Sequence, residues 1–417
     1  MMIPASRALL PLVLVASALM ASAAMPPSSS ASVLVELDYA GLLAIRAELD
    51  SPSPPAALAA ARSALVRKAD GLLPLPAGSV MEKTSLPPSG DRHDFYATGK
   101  YAWPNPDTSG GMPWIRRDGY SNPDAWGPDY DRRRLGEMRT RVATLGLAFF
   151  YSRDERHAAK AAELLRVWFI DPATRMNPNL DYSSAQPGVH DGMPIGIIEG
   201  VDFIRMLDSV KLIAASRHWT PADDAALRRW FSDFTTWLVE SPFGRKEAAE
   251  SNNHGAWHAA QVAAFSLYAG DTGRLTRTLE HARRLIAAQL APDGTLPREL
   301  VRNRSFWYSL YGLRAFVTLA RCGDAVGDDL WHYRTSDGRG IETAFNRLIP
   351  YLTGAKPWPR KHLDKMNAIE AAALPLMRGA ADVYRTPELG KAARYLIDKT
   401  GSRNSLQGRL RYLPAGS

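Results

Sequence analysis

The stretch Ser251-Asn252-Asn253-His254-Gly255-Ala256-Trp257-His258-Ala259-Ala260-Gln261, running on into the apolar segment 262–269, decides how this chain is read. Its second half is apolar enough for a core helix, yet amides and imidazoles crowd the entrance. Ser251 or Asn252 suits the cap, because a side-chain oxygen there accepts the first free backbone N–H groups. Asn253, Trp257 and Gln261 recur at i, i+4, i+8 and share one stripe, while His254 and His258 form the neighbouring one. Two readings fit this spacing equally: a capped core helix with buried, hydrogen-bonded polar groups, and one wall of an active site.

Helical periodicity continues outward on both sides. Before the stretch it covers 39–49, 56–73, 135–151, 154–169, 192–215 and 221–239; after it come 273–290, 296–321, 340–352, 365–378 and 387–399. Hardly any segment alternates as a strand would, so all-β and doubly wound α/β folds are unattractive. Successive helices on mostly short links, without a clean sequence repeat, predict an all-α fold. The form expected is an α/α toroid, an incomplete barrel of antiparallel helical hairpins, rather than a regular solenoid.

With 417 residues and 46% hydrophobic content, the chain can bury a sizeable core. Residues 1–24 carry Arg7, an apolar run over 8–20 and then Ala21-Ser22-Ala23-Ala24, the pattern of a cleaved secretory signal peptide. The run is short for a membrane span. The mature chain, 25–417, is therefore expected to be a single domain, periplasmic or secreted, with no stable membrane association; a retained anchor is the alternative. Residues 25–32 read as a flexible lead-in. The single cysteine, Cys322, excludes an intramolecular disulfide and follows the apolar segment 316–320, which suits a core position.

Formal net charge is +8, and loss of the signal removes only Arg7 from it. Such an excess in an exported protein points to an acidic partner. The run Arg132-Arg133-Arg134 suits phosphate contacts but equally a solvated face. With no helix-turn-helix, zinc-finger or RNA-binding pattern, nucleic acid is set aside in favour of an acidic polysaccharide.

Two long polar segments interrupt the helices. Residues 74–131 are dense in Pro, Gly, Asp and Trp, and a loop of that length inside a compact domain is usually functional. Lys83, Arg92, His93, Tyr101, Trp103 and Arg116 stand in it, rings beside cations, as a sugar site requires; a proline-stiffened structural wrap would look similar. The second segment, 170–191, delivers Gln186 and His190 to a helix entrance around the Pro187-Gly188 turn.

Three chemistries compete. His254 and His258, four apart, suit a shared metal ion, but Gly255 stands where the metallopeptidase motif has Glu. Glycoside hydrolysis needs two carboxylates; Asp191, Glu199, Glu250 and Glu299 are available, and no motif marks a pair. The third begins at Arg302-Asn303-Arg304-Ser305-Phe306-Trp307-Tyr308, where Arg304 and Tyr308 share a helical face and Arg302 stands near its start. Guanidinium groups favour the phenolate, making Tyr308 a base candidate, although an aromatic core helix with snorkelling arginines gives the same pattern. Taken with Asn253 and His254, these residues suit removal of a proton α to a uronate carboxylate. An amide, an imidazole and an arginine neutralise that carboxylate, and Tyr308 takes the C5 proton and protonates the departing O4, or His254 is the base and Tyr308 the acid.

These residues carry a resemblance. Asn252-Asn253-His254-Gly255-Ala256-Trp257 resembles the Asn-Asn-His-x-x-Trp motif of the alginate lyase family of polysaccharide lyases, and the Arg302-to-Tyr308 stretch resembles the Arg and Tyr segment that follows it there. The stretches 85–94, 101–104 and 115–119, with Gln186-Pro187-Gly188 and Gly196-Ile197-Ile198-Glu199, are similar to a broad branch that includes lyases of other polyuronates such as glucuronan. The resemblance implies an α/α toroid and β-elimination without metal or cofactor. It assigns carboxylate neutralisation to Asn253, His254 and Arg302 or Arg304, and proton transfer to Tyr308, with Lys83 as positional counterpart of a lid lysine. Trp257 is expected to wall the sugar site.

Overall fold

A computed structural model of the protein describes Met1 and residues 34–401; the expected signal, beyond Met1, and the lead-in lie outside the described residues. Helices dominate. The first two, α1 (Tyr39–Leu49) and α2 (Ala56–Asp70), are followed after the long loop by α3 (Arg132–Ser152), α4 (Glu155–Leu165), α5 (Phe203–Ile213) and α6 (Pro221–Glu240). Next come α7 (Pro242–Ala248), α8 (Asn253–Ala269), α9 (Thr272–Gln289), α10 (Pro297–Leu300) and α11 (Ser305–Asp324), then α12 (Ile341–Leu352), α13 (Met366–Tyr384) and α14 (Pro387–Lys399). The architecture is the expected all-α toroid.

Packing largely follows chain order: α3 lies against α2, α4 and α5, α8 against α6, α9 and α11, and α13 against α12 and α14. The core is continuous and aromatic at its centre, where Phe169 meets Trp230 at 4.7 Å and Phe231 meets Phe265 at 5.0 Å between ring centroids. Truncating one such buried ring to alanine costs about 3–5 kcal/mol. Among the described residues no helix is long and apolar enough to cross a membrane.

Tertiary contacts reshape three of the expected helices. The 154–169 period ends in a π turn, Arg166–Ile170. The 192–215 period divides into a 3-10 segment, Pro194–Gly200, and α5. The 296–321 period breaks at 301–304, where Arg302 and Arg304 turn toward carboxylates elsewhere in the chain. Helix α7 was not expected, although Ser241 caps it and Pro242 opens it in the usual manner.

Four short strands stitch the long loops together. β1 (Tyr96–Thr98) runs parallel to β4 (Tyr182–Ala185), and β2 (Ala102–Trp103) antiparallel to β3 (Ile115–Arg116). The 74–131 loop is thus fastened to the 170–191 connection. Lys83 belongs to this fastening: it is buried, 3.0 Å from Asp131, and donates to the carbonyls of Val80 and Arg92. Burial lowers its pKa, against the pull of Asp131. A lysine so enclosed is a structural strut, which corrects its expected placement on a substrate-facing lid.

Residues 35–37, just before α1, are clamped to the barrel. The backbone N–H groups of Val35, Glu36 and Leu37 all donate to the Asp208 carboxylate, at 2.7–2.8 Å. Glu36 pairs with Arg205 at 3.0 Å and Arg314 at 2.5 Å. Arg314 in turn lies 5.3 Å over the ring of Trp257.

Candidate active site

Helix α8 delivers the first wall. The Asn252 side chain caps it by accepting from the His254 N–H at 2.8 Å, so Asn253 and His254 stand in its first turn. Gly255 lets this turn sit close to the link after α7, since a Cβ there would lie 2.1 Å from the Glu250 carbonyl oxygen. Each polar side chain has its own carboxylate. Asn253, fully buried, donates both its backbone N–H and its amide Nδ2 to Glu299 Oε1, at 2.7 and 2.8 Å. His254 Nδ1 lies 2.5 Å from Oε1 of buried Glu247, leaving Nε2 as the nitrogen available to a ligand. Glu247 Oε2, Asn253 Oδ1 and Glu299 Oε2 are buried without a protein partner, an arrangement costly for a purely structural helix start.

Helix α11 supplies the second wall. Tyr308 is nearly buried, with its hydroxyl 3.0 Å from that of Tyr101. Arg302 lies 4.1 Å over the Tyr308 ring and pairs with Asp118 at 2.8 Å. Arg304 pairs with Asp364, also bonds Tyr101, and stacks 5.1 Å over Trp307. The two arginines are thus distinguished: Arg302 feels Glu299, the holder of Asn253, whereas Arg304 serves Tyr101.

The tyrosines titrate as a pair. Burial pushes Tyr101 up, but Lys100 and the hydrogen bonds from Tyr308 and Arg304 outweigh it and hold its pKa below the ordinary value. Burial and the neighbouring Tyr101 push Tyr308 up, more than Arg302 and Arg304 pull it down. One proton therefore leaves the dyad more readily than from a free phenol, and the second less readily. The guanidinium effect expected at Tyr308 is present there but outweighed, while at Tyr101 the Arg304 hydrogen bond adds to the charge of Lys100.

A cleft of about 700 Å³ opens beside this dyad, lined among others by Trp103, Arg117, Tyr120, Arg304, Leu363 and Asp364. Gly119 shapes its rim with a φ of +81°, where an added Cβ would meet Leu363 at 3.2 Å and Asn303 at 3.3 Å.

The remaining expected site residues divide. Trp103 lines the cleft, and exposed Arg116 pairs with Asp118 at its edge. Arg92 donates to the Lys83 carbonyl at 2.7 Å, within its own loop, and His93 Nδ1 contacts the Arg175 carbonyl of the 170–191 connection at 2.6 Å, so both are engaged by backbone. Gln186 donates to the Trp114 carbonyl at 2.6 Å and forms a backbone bridge with His190, whose pKa burial lowers. Trp257 is fully buried against Tyr311, 4.9 Å between ring centroids. It is core, which corrects its expected role as a sugar platform.

The rival chemistries lose their geometry. His258 is buried with Nε2 on the Leu238 carbonyl at 2.8 Å, while His254 uses Nδ1 on Glu247, so the two imidazoles serve different partners. Among the carboxylates weighed for hydrolysis, Glu299 holds Asn253, Glu199 pairs with Arg132 at 2.9 Å, and Glu250 is exposed beside Asn252. Sequence reasoning missed Glu247, Asp118 and Asp364 as partners of site residues. For Asp364 the available signal was the Pro- and Lys-rich link 353–365, of the same character as 74–131.

No curated protein sequence matches the chain. Among solved structures, an alginate lyase from Bacteroides ovatus is 32% identical with a TM-score of 0.81, over 88% of this chain and 95% of that one. Alginate lyase A1-III from Sphingomonas species A1 is 15% identical with a TM-score of 0.55, over 87% of this chain and 90% of that one, a likeness of fold. Residues 79–358 match the alginate lyase family, and the chain belongs to that family of polysaccharide lyases.

Proposed function

We propose that this protein depolymerises alginate by β-elimination, without metal, leaving a C4=C5 unsaturated uronate at each new non-reducing end. The observation that carries the reading is the Tyr101–Tyr308 hydroxyl pair, 3.0 Å apart, with Arg302 stacked on Tyr308. The likeness to the Bacteroides ovatus alginate lyase supports the substrate.

The C5 hydrogen of a uronate is removable only when its carboxylate is neutralised and the developing enolate stabilised. Arg302 and His254 supply that neutralisation, and Asn253 an amide. Arg302 is chosen over Arg304 because it feels Glu299, the carboxylate that holds Asn253, and stacks on Tyr308. In the ionised dyad Tyr308 passes its own proton to Tyr101 across the 3.0 Å contact and takes the C5 proton, electrons move into the C4=C5 bond, and Tyr308 returns a proton to the departing O4. The dyad ends with the proton count it began with. One tyrosine serves both transfers when the C5 hydrogen and O4 lie on one ring face. The segment 1–24 supports a periplasmic or secreted location.

The test follows absorbance of the conjugated double bond and reducing ends together on polymannuronate, polyguluronate and glucuronan. Elimination raises both signals. A rise in reducing ends alone identifies a hydrolase, and neither signal a binder; either result refutes the reading.

A further inference from the structure

The cleft beside the dyad contains a cation that the reaction as derived does not use. Of the two guanidiniums that line it, Arg304 is paired with Asp364, and the neighbouring Arg302 and Arg116 both pair with Asp118. Arg117 has no ion pair among the described residues, and its side chain is exposed. It is nevertheless held in place. Its guanidinium lies 5.0 Å over the Trp103 ring and 5.5 Å over the Tyr120 ring. Those rings are tied together, since Trp103 Nε1 donates to the Tyr120 carbonyl at 2.9 Å. The backbone fixes the register: Arg117 N–H donates to the Tyr101 carbonyl at 2.9 Å, and Tyr120 N–H to the Arg117 carbonyl at 3.1 Å. The residue is therefore one backbone hydrogen bond from the reacting dyad.

A guanidinium lying against aromatic faces is oriented at little entropic cost and keeps its in-plane N–H donors for a planar anion. With Arg302, Arg304 and Arg116 each facing a carboxylate already, Arg117 is the guanidinium lining the cleft whose charge is uncompensated. We propose that Arg117, set on Trp103 and Tyr120, is a binding subsite for the carboxylate of the uronate unit next to the one that is cleaved. It binds that carboxylate in a bidentate, charge-assisted manner and selects chains in which adjacent units are both acidic. The proposal rests on the polyuronate reading given above and adds to it the residue that reads the neighbouring unit.

Binding is measured by calorimetry in the Tyr308→Phe background with a di-, tri- and tetrauronate series, comparing Arg117→Met, Arg117→Lys and, as a remote control, Arg133→Met. Arg117→Met is expected to weaken tetrauronate binding about tenfold, the loss of one charge-assisted bidentate contact, and diuronate binding much less. Arg117→Lys recovers part of the loss, because it restores charge without the planar fork. Arg133→Met, at an exposed position paired with Glu137, changes neither. In the otherwise wild-type enzyme the same Arg117→Met change raises KM for long chains more than it lowers kcat, and flattens the rise of KM with added salt. Equal weakening at every length, no weakening, or failure of the Tyr308→Phe protein to bind tetrauronate overturns the proposal. Length-dependent loss of binding without unsaturated ends from the wild-type enzyme instead refutes the lyase reading and leaves the subsite standing.

Discussion

The two walls of the candidate site hold their functional groups by opposite means. On the helical wall, Asn253 and His254 are gripped by the buried carboxylates Glu299 and Glu247. On the loop wall, buried Tyr101, half-buried Trp103 and exposed Arg117 are positioned by backbone hydrogen bonds and stacked rings. A buried carboxylate leaves its partner one orientation; a stacked ring lets a side chain be exchanged without leaving a charge unpaired. The contrast predicts that changes on the helical side and at the dyad act on kcat, and changes along the loop act mainly on KM.

The sharpest test is Tyr308→Phe, which keeps the ring under Arg302 and removes the oxygen. Turnover should fall by about 10³-fold or more with oligouronate binding largely retained, as seen by single-turnover kinetics and calorimetry. Retained turnover would break the comparison at its centre. Glu247→Gln comes next: it keeps shape and burial but loses the carboxylate that fixes the His254 tautomer, and kcat should fall about 10–100-fold with little change in KM or thermal midpoint. An equal fall in stability would make Glu247 a core residue instead.

Tyr101→Phe probes the seam between the walls. Activity requires the dyad to have lost one proton, so it is present above the dyad's first pKa and lost as pH falls through it. Because Tyr101 is held below the usual tyrosine value of about 10, the wild-type limb lies lower than that of a free phenol. The replacement leaves Tyr308 to ionise alone in a buried position, so the limb should move to higher pH and kcat at neutral pH should drop roughly tenfold. An unmoved limb in the kcat profile would remove Tyr101 from the proton path. Smallest is Trp103→Leu, which removes one of the two rings under Arg117 and should raise KM a few-fold, by about the worth of one exposed cation–π contact, with kcat nearly unchanged.

The same division explains what the sequence could convey. Helices at 39–49, 253–269 and 387–399 coincide with the expected boundaries, because apolar period and capping residues are local properties. The approach of Tyr308 and Arg302 was likewise written within one helical turn or two. Their partners were not: Asp118 meets Arg302 across 184 positions and Asp364 meets Arg304 across 60, and an aspartate in a loop has no signature of the charge it will face. Trp257 misled for the converse reason. An aromatic residue on a stripe with Asn253 is the same pattern whether the stripe faces sugar or core, and only the packing of Tyr311 and Arg314 against it decides.

The clamp on residues 35–37 bears on the order in which the molecule comes together. Asp208, which receives three consecutive amides, lies 171–173 positions downstream, and Arg314 lies 278 beyond Glu36. A chain emerging from its amino end exposes this segment long before either partner exists. Loop-closure entropy on that scale delays the contact until the middle helices are formed. The first residues of the folded body are thus among the last to be seated, and only at that final step do the buried Asp208 receive the three amides and Arg314 its bond to Glu36.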